Sequence, residues 1–386
     1  MRITNYVERG DRGMKDVFVI GDNLLTSLGA TTAKNFEQLK NGASGVKVYN
    51  DASISTQTFA ASMFPADAYA DNQQYTKFEQ LLIASISDAL NNTGIDPKSA
   101  DTILILSSTK GNITLLQDGD YSAPTLKRAS LHHSAALVKA HFGFVHQPLF
   151  ISSACISGLS AILTGARLIS AGRYKNAVIA GADLVSRFVV TGFQSFQALS
   201  AAQCRPFDRD RTGINLGEGA ATVILSAESL SADDIKVAGG SLSDDANHIS
   251  GPSRTGEELG TAIKQALLEA VLQPGDIDMI SAHGTATIFN DEMEASAINY
   301  AGLADVPLNS LKGYYGHTLG AAGLVEAVVS MQSIQQGVII PTPGFSNLGT
   351  KAVNVARQLL YQPVNRVLKT ASGFGGCNAA LIFTKQ

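Results

Sequence analysis

The chain has 386 residues, a net charge of −4, 36 glycines, 45% hydrophobic residues and 16% charged residues. That balance excludes a disordered or fibrous chain and fits a globular enzyme of one large domain or two medium ones. No basic block, no apolar run of the ~18 residues a membrane span needs and no apolar leader are present, so nucleic acid, membrane and secretion are set aside.

Residues 1–13 read as a loose extension, and a first strand is expected over 17–21. Short β-rich apolar runs at 102–107, 149–152, 176–182 and 220–226 alternate with longer helical patterns. A second series follows at 235–238, 277–282, 364–370 and 380–384. The alternation predicts an α/β fold with buried strands. The polar stretch 226–234 is the best internal boundary, which gives units 1–230 and 231–386. Three cysteines, Cys155, Cys204 and Cys377, are too few for a disulfide framework and point to a cytoplasmic protein with free thiols.

A weak repeat crosses the boundary. Ile95-Asp96-Pro97 leads into the strand at 102, and Pro274-Gly275-Asp276 leads into the strand at 277. Next, Gln147-Pro148-Leu149 precedes Cys155-Ile156-Ser157-Gly158, while Val306-Pro307-Leu308 precedes His317-Thr318-Leu319-Gly320. Cys155 and His317 each stand three residues before a glycine at the mouth of a small-residue helix. A duplicated fold would bring those two helix starts together across a pseudo-twofold axis.

Cys155 lies in Ser152-Ser153-Ala154-Cys155-Ile156-Ser157-Gly158, after a strand and before a helix. Most free cysteines are small buried hydrophobes. Here the helix start favours a thiolate, with an expected fall in pKa, and its backbone N–H groups suit the oxyanion of a thioester adduct. His283 follows a strand end, where α/β sheets bind ligands. His317 sits in the glycine-rich Gly313–Gly323 stretch. Each histidine alone reads equally well as a structural residue; the conjunction of one cysteine and two histidines at element ends carries the argument. Ser372–Asn378 is a glycine-rich turn with Phe374 as a movable lid. His132, His133, His141 and His146 lack accompanying cysteines or carboxylates, so no metal site is expected.

These residues, in this order, resemble the β-ketoacyl synthases of fatty-acid and polyketide assembly, of the elongating Cys-His-His type, from Val17 onward. The carrying motifs are SSACISG around Cys155, Arg205-Pro206-Phe207-Asp208 with Arg211 and Gly217-Glu218-Gly219-Ala220, His283-Gly284-Thr285-x-Thr287 with Asp291, Lys312-x4-His317, and Gly373-Phe374-Gly375-Gly376. The resemblance implies a thiolase-like fold, two pseudo-repeated halves in α/β/α/β/α layers. It implies decarboxylative Claisen condensation of acyl-Cys155 with malonyl-acyl carrier protein. His283 and His317 would stabilise the enolate, and the Cys155 and Phe374 N–H groups would form an oxyanion hole. Thr285, Thr287 and Phe374 would contact the phosphopantetheine arm. Glu294 would pair with Lys312, which orients the histidines. No cofactor beyond carrier-borne phosphopantetheine and no metal are implied. The partners implied are an acyl carrier protein and a second copy, or a related subunit. Lys77, Lys127 with Arg128, or Arg205 with Arg209 are the candidate docking residues. The segment from Ser107 to Thr125 is short for a housekeeping elongating synthase, so both primary and specialised pathways stay open. A thiolase using Cys377 as a second cysteine, a Cys/His hydrolase and a non-catalytic chain-length-factor subunit are the alternatives.

Overall fold

The computed structural model describes residues 16–91, 93–247 and 251–386. The expected loose extension at 1–13 lies outside the described residues. Among the described residues the main sheet has ten strands. Half of it comes from before Ser226, in the order Phe18–Thr26, Gly219–Ser226, Asn176–Asp183, Thr102–Ser107, Leu149–Ile151. The other half mirrors it from the C-terminal part: Ile235–Asp244, Cys377–Lys385, Arg366–Ser372, Met279–Ser281, Leu308–Asn309. The halves meet where Phe18 and Val19 pair with Lys236 and Ile235.

Strand by strand, this is the duplication expected from the Pro-flanked repeats. In each half two outer strands run parallel to a third, and the remaining pairings are antiparallel. The parallel strands are near-continuous apolar runs because helices cover both faces. Helix Lys77–Leu90 covers the outer face of the first half and Glu257–Glu269 that of the second. Between the halves lie Ser157–Ser170 and Ala322–Gln336, which touch strands of both. The layers are therefore α/β/α/β/α. Among the described residues one apolar core surrounds the two central helices, one lies beneath each outer helix layer, and a smaller fourth gathers Phe59, Val189, Val190 and Leu319.

The two central helices pack at their first turns, Gly158 against Gly323. A Cβ on Gly158 would lie 2.6 Å from the Leu324 backbone nitrogen, and one on Gly323 would lie 2.7 Å from that of Leu159. Glycine there lets the backbones touch, and it brings the segments ahead of the two helices to one place. The strand at 176–182 is flanked by strands on both edges, so its burial is internal to the sheet. The short pair Val46–Tyr49 and Phe59–Ser62 was not expected, because neither run is long enough to show a clear period.

Candidate active site

Cys155 follows Leu149–Ile151 through a sharp turn. Ala154 holds φ at 45°, a strained left-handed conformation for a residue with a side chain. Ser157 fastens the turn: its Oγ donates to Ala154 O at 2.6 Å and accepts from Ser153 N at 2.8 Å. His283 follows Met279–Ser281. Glu294, one turn into helix Ile288–Tyr300, accepts from the backbone N–H groups of His283 (2.8 Å) and Gly284 (2.7 Å). His317 is fixed by its neighbours in the Asn215–Gly219 stretch: its N–H donates to Asn215 O at 2.7 Å, and its carbonyl accepts from Gly217 N at 3.0 Å. Gly217 must be glycine, since a Cβ there would fall 1.9 Å from Tyr315 O.

Cys155, His283 and His317 converge. The sulfur and one imidazole nitrogen of each histidine lie within 4.8 Å of one another, the three residues are buried, and the imidazole rings meet edge to face at 5.2 Å. Each histidine has its Nδ1 occupied as an acceptor, from Leu319 N–H (3.2 Å) in His317 and from Lys312 Nζ (3.4 Å) in His283. That leaves the hydrogen on Nε2 in both. His317 Nε2 is buried with no protein partner. Two N–H donors facing a sulfur suit a developing oxyanion, whereas a metal ion would need lone pairs there. Burial first, then the Lys312 ammonium, hold both imidazoles well below the usual histidine range; both are neutral donors.

The expected fall in the Cys155 pKa is not met. Burial pushes the thiol up to about 12, with Lys312 and the Phe374 backbone N–H pulling the other way. The helix proper begins at Ser157, so the sulfur stands just ahead of its first turn. At neutral pH the sulfur rests as the thiol.

The pairing of Glu294 with Lys312 is also corrected. Lys312 Nζ binds Glu326 Oε1 at 2.6 Å and His283 O at 2.6 Å. Glu294 instead holds the His283 loop and takes Thr370 Oγ1 at 2.7 Å. The reason is geometric: Glu326, on helix Ala322–Gln336, comes up directly behind Lys312, while Glu294 is committed to backbone N–H groups. Sequence reasoning missed Glu326 and Lys369. Glu326 is the lone charge of Ala322–Gln336, and Lys369 is a charge in the middle of the buried strand Arg366–Ser372; that was the signal available.

A cavity of about 520 Å³ opens onto the triad and is lined by Thr285, Thr287, Phe374, Phe193 and Phe289, among others. Thr285 and Thr287 share a 2.8 Å hydroxyl contact at its wall. Asp291 accepts from Thr285 N (2.8 Å) and Phe207 N (2.7 Å) and so ties two of the sequence motifs together. The Phe374 ring packs on Phe193 and Phe196 at 5.6 and 5.5 Å. Cys377 is half-buried, its thiol directed at Ser153 O (3.6 Å) and Phe374 O (3.7 Å). Of the proposed docking cations, Lys77 is tied to Glu218 and Arg128 to Glu79, whereas Lys127, Arg205 and Arg209 stay exposed. The dispersed histidines do not converge: His141 meets Tyr75 and His146 meets Ala100 O.

A duplicated five-layer fold with a Cys-His-His centre at its pseudo-twofold axis defines a thiolase-like condensing enzyme. The chain belongs to the β-ketoacyl synthase family: the family's N-terminal domain profile matches residues 14–231 and its C-terminal domain profile residues 236–346. It is similar to 3-oxoacyl-[acyl-carrier-protein] synthase 2 of Vibrio cholerae, 29% identical over 96% of this chain and 99% of that one. It is also similar to the tetracenomycin polyketide synthase ketoacyl synthase alpha subunit of Streptomyces glaucescens, 31% identical over 81% and 82% of the two chains. Among solved structures, a ketosynthase (ApeO) in complex with its chain length factor (ApeC) from Xenorhabdus doucetiae superposes with a TM-score of 0.86, at 26% identity over 96% of this chain and 98% of that one. The protein is an acyltransferase of the condensing type.

Proposed function

We propose that the chain condenses an acyl group held on Cys155 with malonyl-acyl carrier protein, giving β-ketoacyl-acyl carrier protein in fatty-acid or polyketide assembly. The observation that carries this reading is the pair of neutral imidazoles beside the Cys155 sulfur, each with its Nδ1 taken up as an acceptor and its hydrogen left on Nε2. In the first half-reaction Cys155 Sγ attacks an acyl thioester. The Cys155 proton goes to the departing phosphopantetheine sulfur, so no net proton is needed. The N–H groups of Cys155 and Phe374 hold the tetrahedral oxyanion. A malonyl thioester then enters past Thr285 and Thr287, with its carbonyl oxygen on His283 and His317. Loss of carbon dioxide leaves an enolate stabilised by those donors, and it attacks the acyl-Cys155 carbonyl. Lys312 positions His283 through its carbonyl and Nδ1, and Glu294 positions the same residue through its N–H.

This chemistry needs no metal and no cofactor beyond the carrier's arm, and it suits a cytoplasmic protein. The division into units 1–230 and 231–386 places the nucleophile in one and both histidines in the other. The partners are an acyl carrier protein and a second subunit, either identical or related. For the carrier, the exposed Lys127, Arg205 and Arg209 are the remaining candidates. The test is mass spectrometry of Cys155 after exposure to a panel of acyl-carrier thioesters, followed by malonyl carrier. Acylation and then release of a β-ketoacyl thioester is expected. A thiolase is the second reading, favoured only by Cys377 near the centre. Its thiol is turned to two backbone carbonyls, so Cys377→Ser is expected to keep most condensation activity.

A further inference from the structure

Two buried ammonium groups share one buried carboxylate beneath the histidines. Glu326 Oε1 meets Lys312 Nζ at 2.6 Å, and Glu326 Oε2 meets Lys369 Nζ at 2.8 Å. Neither lysine side chain has any exposure to solvent. A buried ammonium is unfavourable unless matched, and a hydrocarbon at position 369 would fill the same space without that cost. Packing alone therefore gives no reason for a cation here.

Its location does. Lys369 stands opposite Ser281 in the parallel pairing of Arg366–Ser372 with Met279–Ser281. Its Nζ donates to the carbonyls of Ser281 and Thr370. Ser281 precedes His283 by two residues, and the Thr370 strand runs on into Phe374, so one ammonium sits at the root of both site segments. The charged and titratable groups packed around the histidine segments are Lys312 and Cys155 at the rings, Lys369, Glu326 and Glu294 behind them, and Asp183 and Asp291 on the adjoining loops. Glu294 is taken up by two backbone N–H groups and a hydroxyl. Glu326 divides one negative charge between two cations. The balance next to the rings is positive.

We propose that Lys369 is a positioning residue of the condensation step: acting with Lys312 on Glu326, it keeps both imidazoles as neutral Nε2–H donors, so the enolate goes to carbon and not to a proton. This rests on the synthase reading above. Decarboxylation leaves the electron pair of the broken C–C bond in the enolate. Attack on acyl-Cys155 forms the new C–C bond, breaks the C–S bond and leaves the pair on Sγ, which takes up one proton. An imidazolium would instead protonate the α-carbon. The product would then be an acetyl thioester, with the acyl group stranded on Cys155. The burial-driven lowering of both histidines, to which Lys369 adds in each case, agrees with this role.

The experiment uses the full chain, pre-acylated on Cys155 and given malonyl carrier between pH 5.5 and 8.5. The β-ketoacyl and acetyl carrier products are counted by mass spectrometry. For the wild type the product ratio is expected to stay flat across the range. Lys369→Met and Lys369→Gln, the second of which keeps an N–H donor for Ser281 O, are expected to match it within a few-fold at pH 8.5. At pH 5.5 their acetyl share should rise about tenfold, the consequence of a one-unit upward move of a histidine. Folded variants whose product ratio tracks the wild type at every pH would overturn the proposal. So would failure of both to fold by circular dichroism, which would make Lys369 purely structural. A wild type that forms no β-ketoacyl product from any carrier substrate is a different result, and it would count against the reaction itself.

Discussion

Cys155 is buried, and in its proposed role its sulfur would bear charge in the transition state of acyl transfer. The Lys312 ammonium and the Phe374 N–H offset that desolvation only in part. Alkylation by iodoacetamide should therefore keep rising from pH 7 to pH 10, because the thiolate is scarce until well above the ordinary thiol range. A plateau near pH 7 would show that the helix start outweighs burial. Cys155→Ala should abolish condensation and leave unfolding by urea nearly unchanged. Substituting alanine for His283 or His317 should leave acylation of Cys155 intact and slow malonyl decarboxylation by roughly 100–1,000-fold, the usual cost of an oxyanion donor. Stopped-flow detection of carbon dioxide separates the two steps.

Far from this centre, Asp22 is pushed up to about 6, chiefly by burial and also by Asp88, against a hydrogen bond from Thr32. A raised carboxyl favours folding below its unfolded pKa, and the benefit is lost as pH climbs from about 4 to about 6. At pH 8 the ionised form is a net cost. Asp22→Asn, which keeps an acceptor for Thr32, should be nearly neutral at pH 4. At pH 8 it should stabilise the protein by about 1–2 kcal/mol, the shift being discounted because Asp22 is only partly shielded from solvent. Chemical denaturation at the two pH values measures the difference.

At the scale of elements, the site depends on two helices meeting at glycines. Gly158→Val would drive a branched side chain into the Gly323–Leu324 backbone. A loss of about 3 kcal/mol or more is expected, with condensation falling further than stability alone explains, since Cys155 and His317 are carried by the segments that precede these helices. Urea unfolding beside kcat makes the comparison. The strand at 102–107 was legible in full, because an unbroken apolar run covered on both faces has one reading. Cys377–Lys385 was read only from 380, since its first residues also look like the end of the glycine turn. The pairing of Glu294 with Lys312 rested on the family resemblance alone. Order along the chain cannot tell which of two carboxylates, eighteen residues before Lys312 or fourteen after it, arrives at the ammonium in space.

At the scale of the molecule, the open edge of the main sheet on the N-terminal side is Leu149–Ile151. Leu149 is 39% exposed there, and Leu126 and Tyr121, at 47% and 66%, are further exposed apolar side chains of the same half. An unpaired edge of that kind is a template for another strand. Light scattering at micromolar concentration should give about twice the chain mass of 40.5 kDa. A stable single chain would show the edge to be capped otherwise.

Motif order along the chain determined the family resemblance by itself, and through it the expected thiolase-like fold and the candidate site residues Cys155, His283 and His317, because such motifs are local runs that the sequence spells out in full. Tertiary structure alone decided the charge arrangement around them. Whether a thiol is raised or lowered, and which carboxylate neutralises which ammonium, depends on burial and on distances of a few ångströms between segments far apart in the chain. Lys369 and Glu326 are 43 residues apart in sequence and 2.8 Å apart in the fold, and no local pattern encodes that contact.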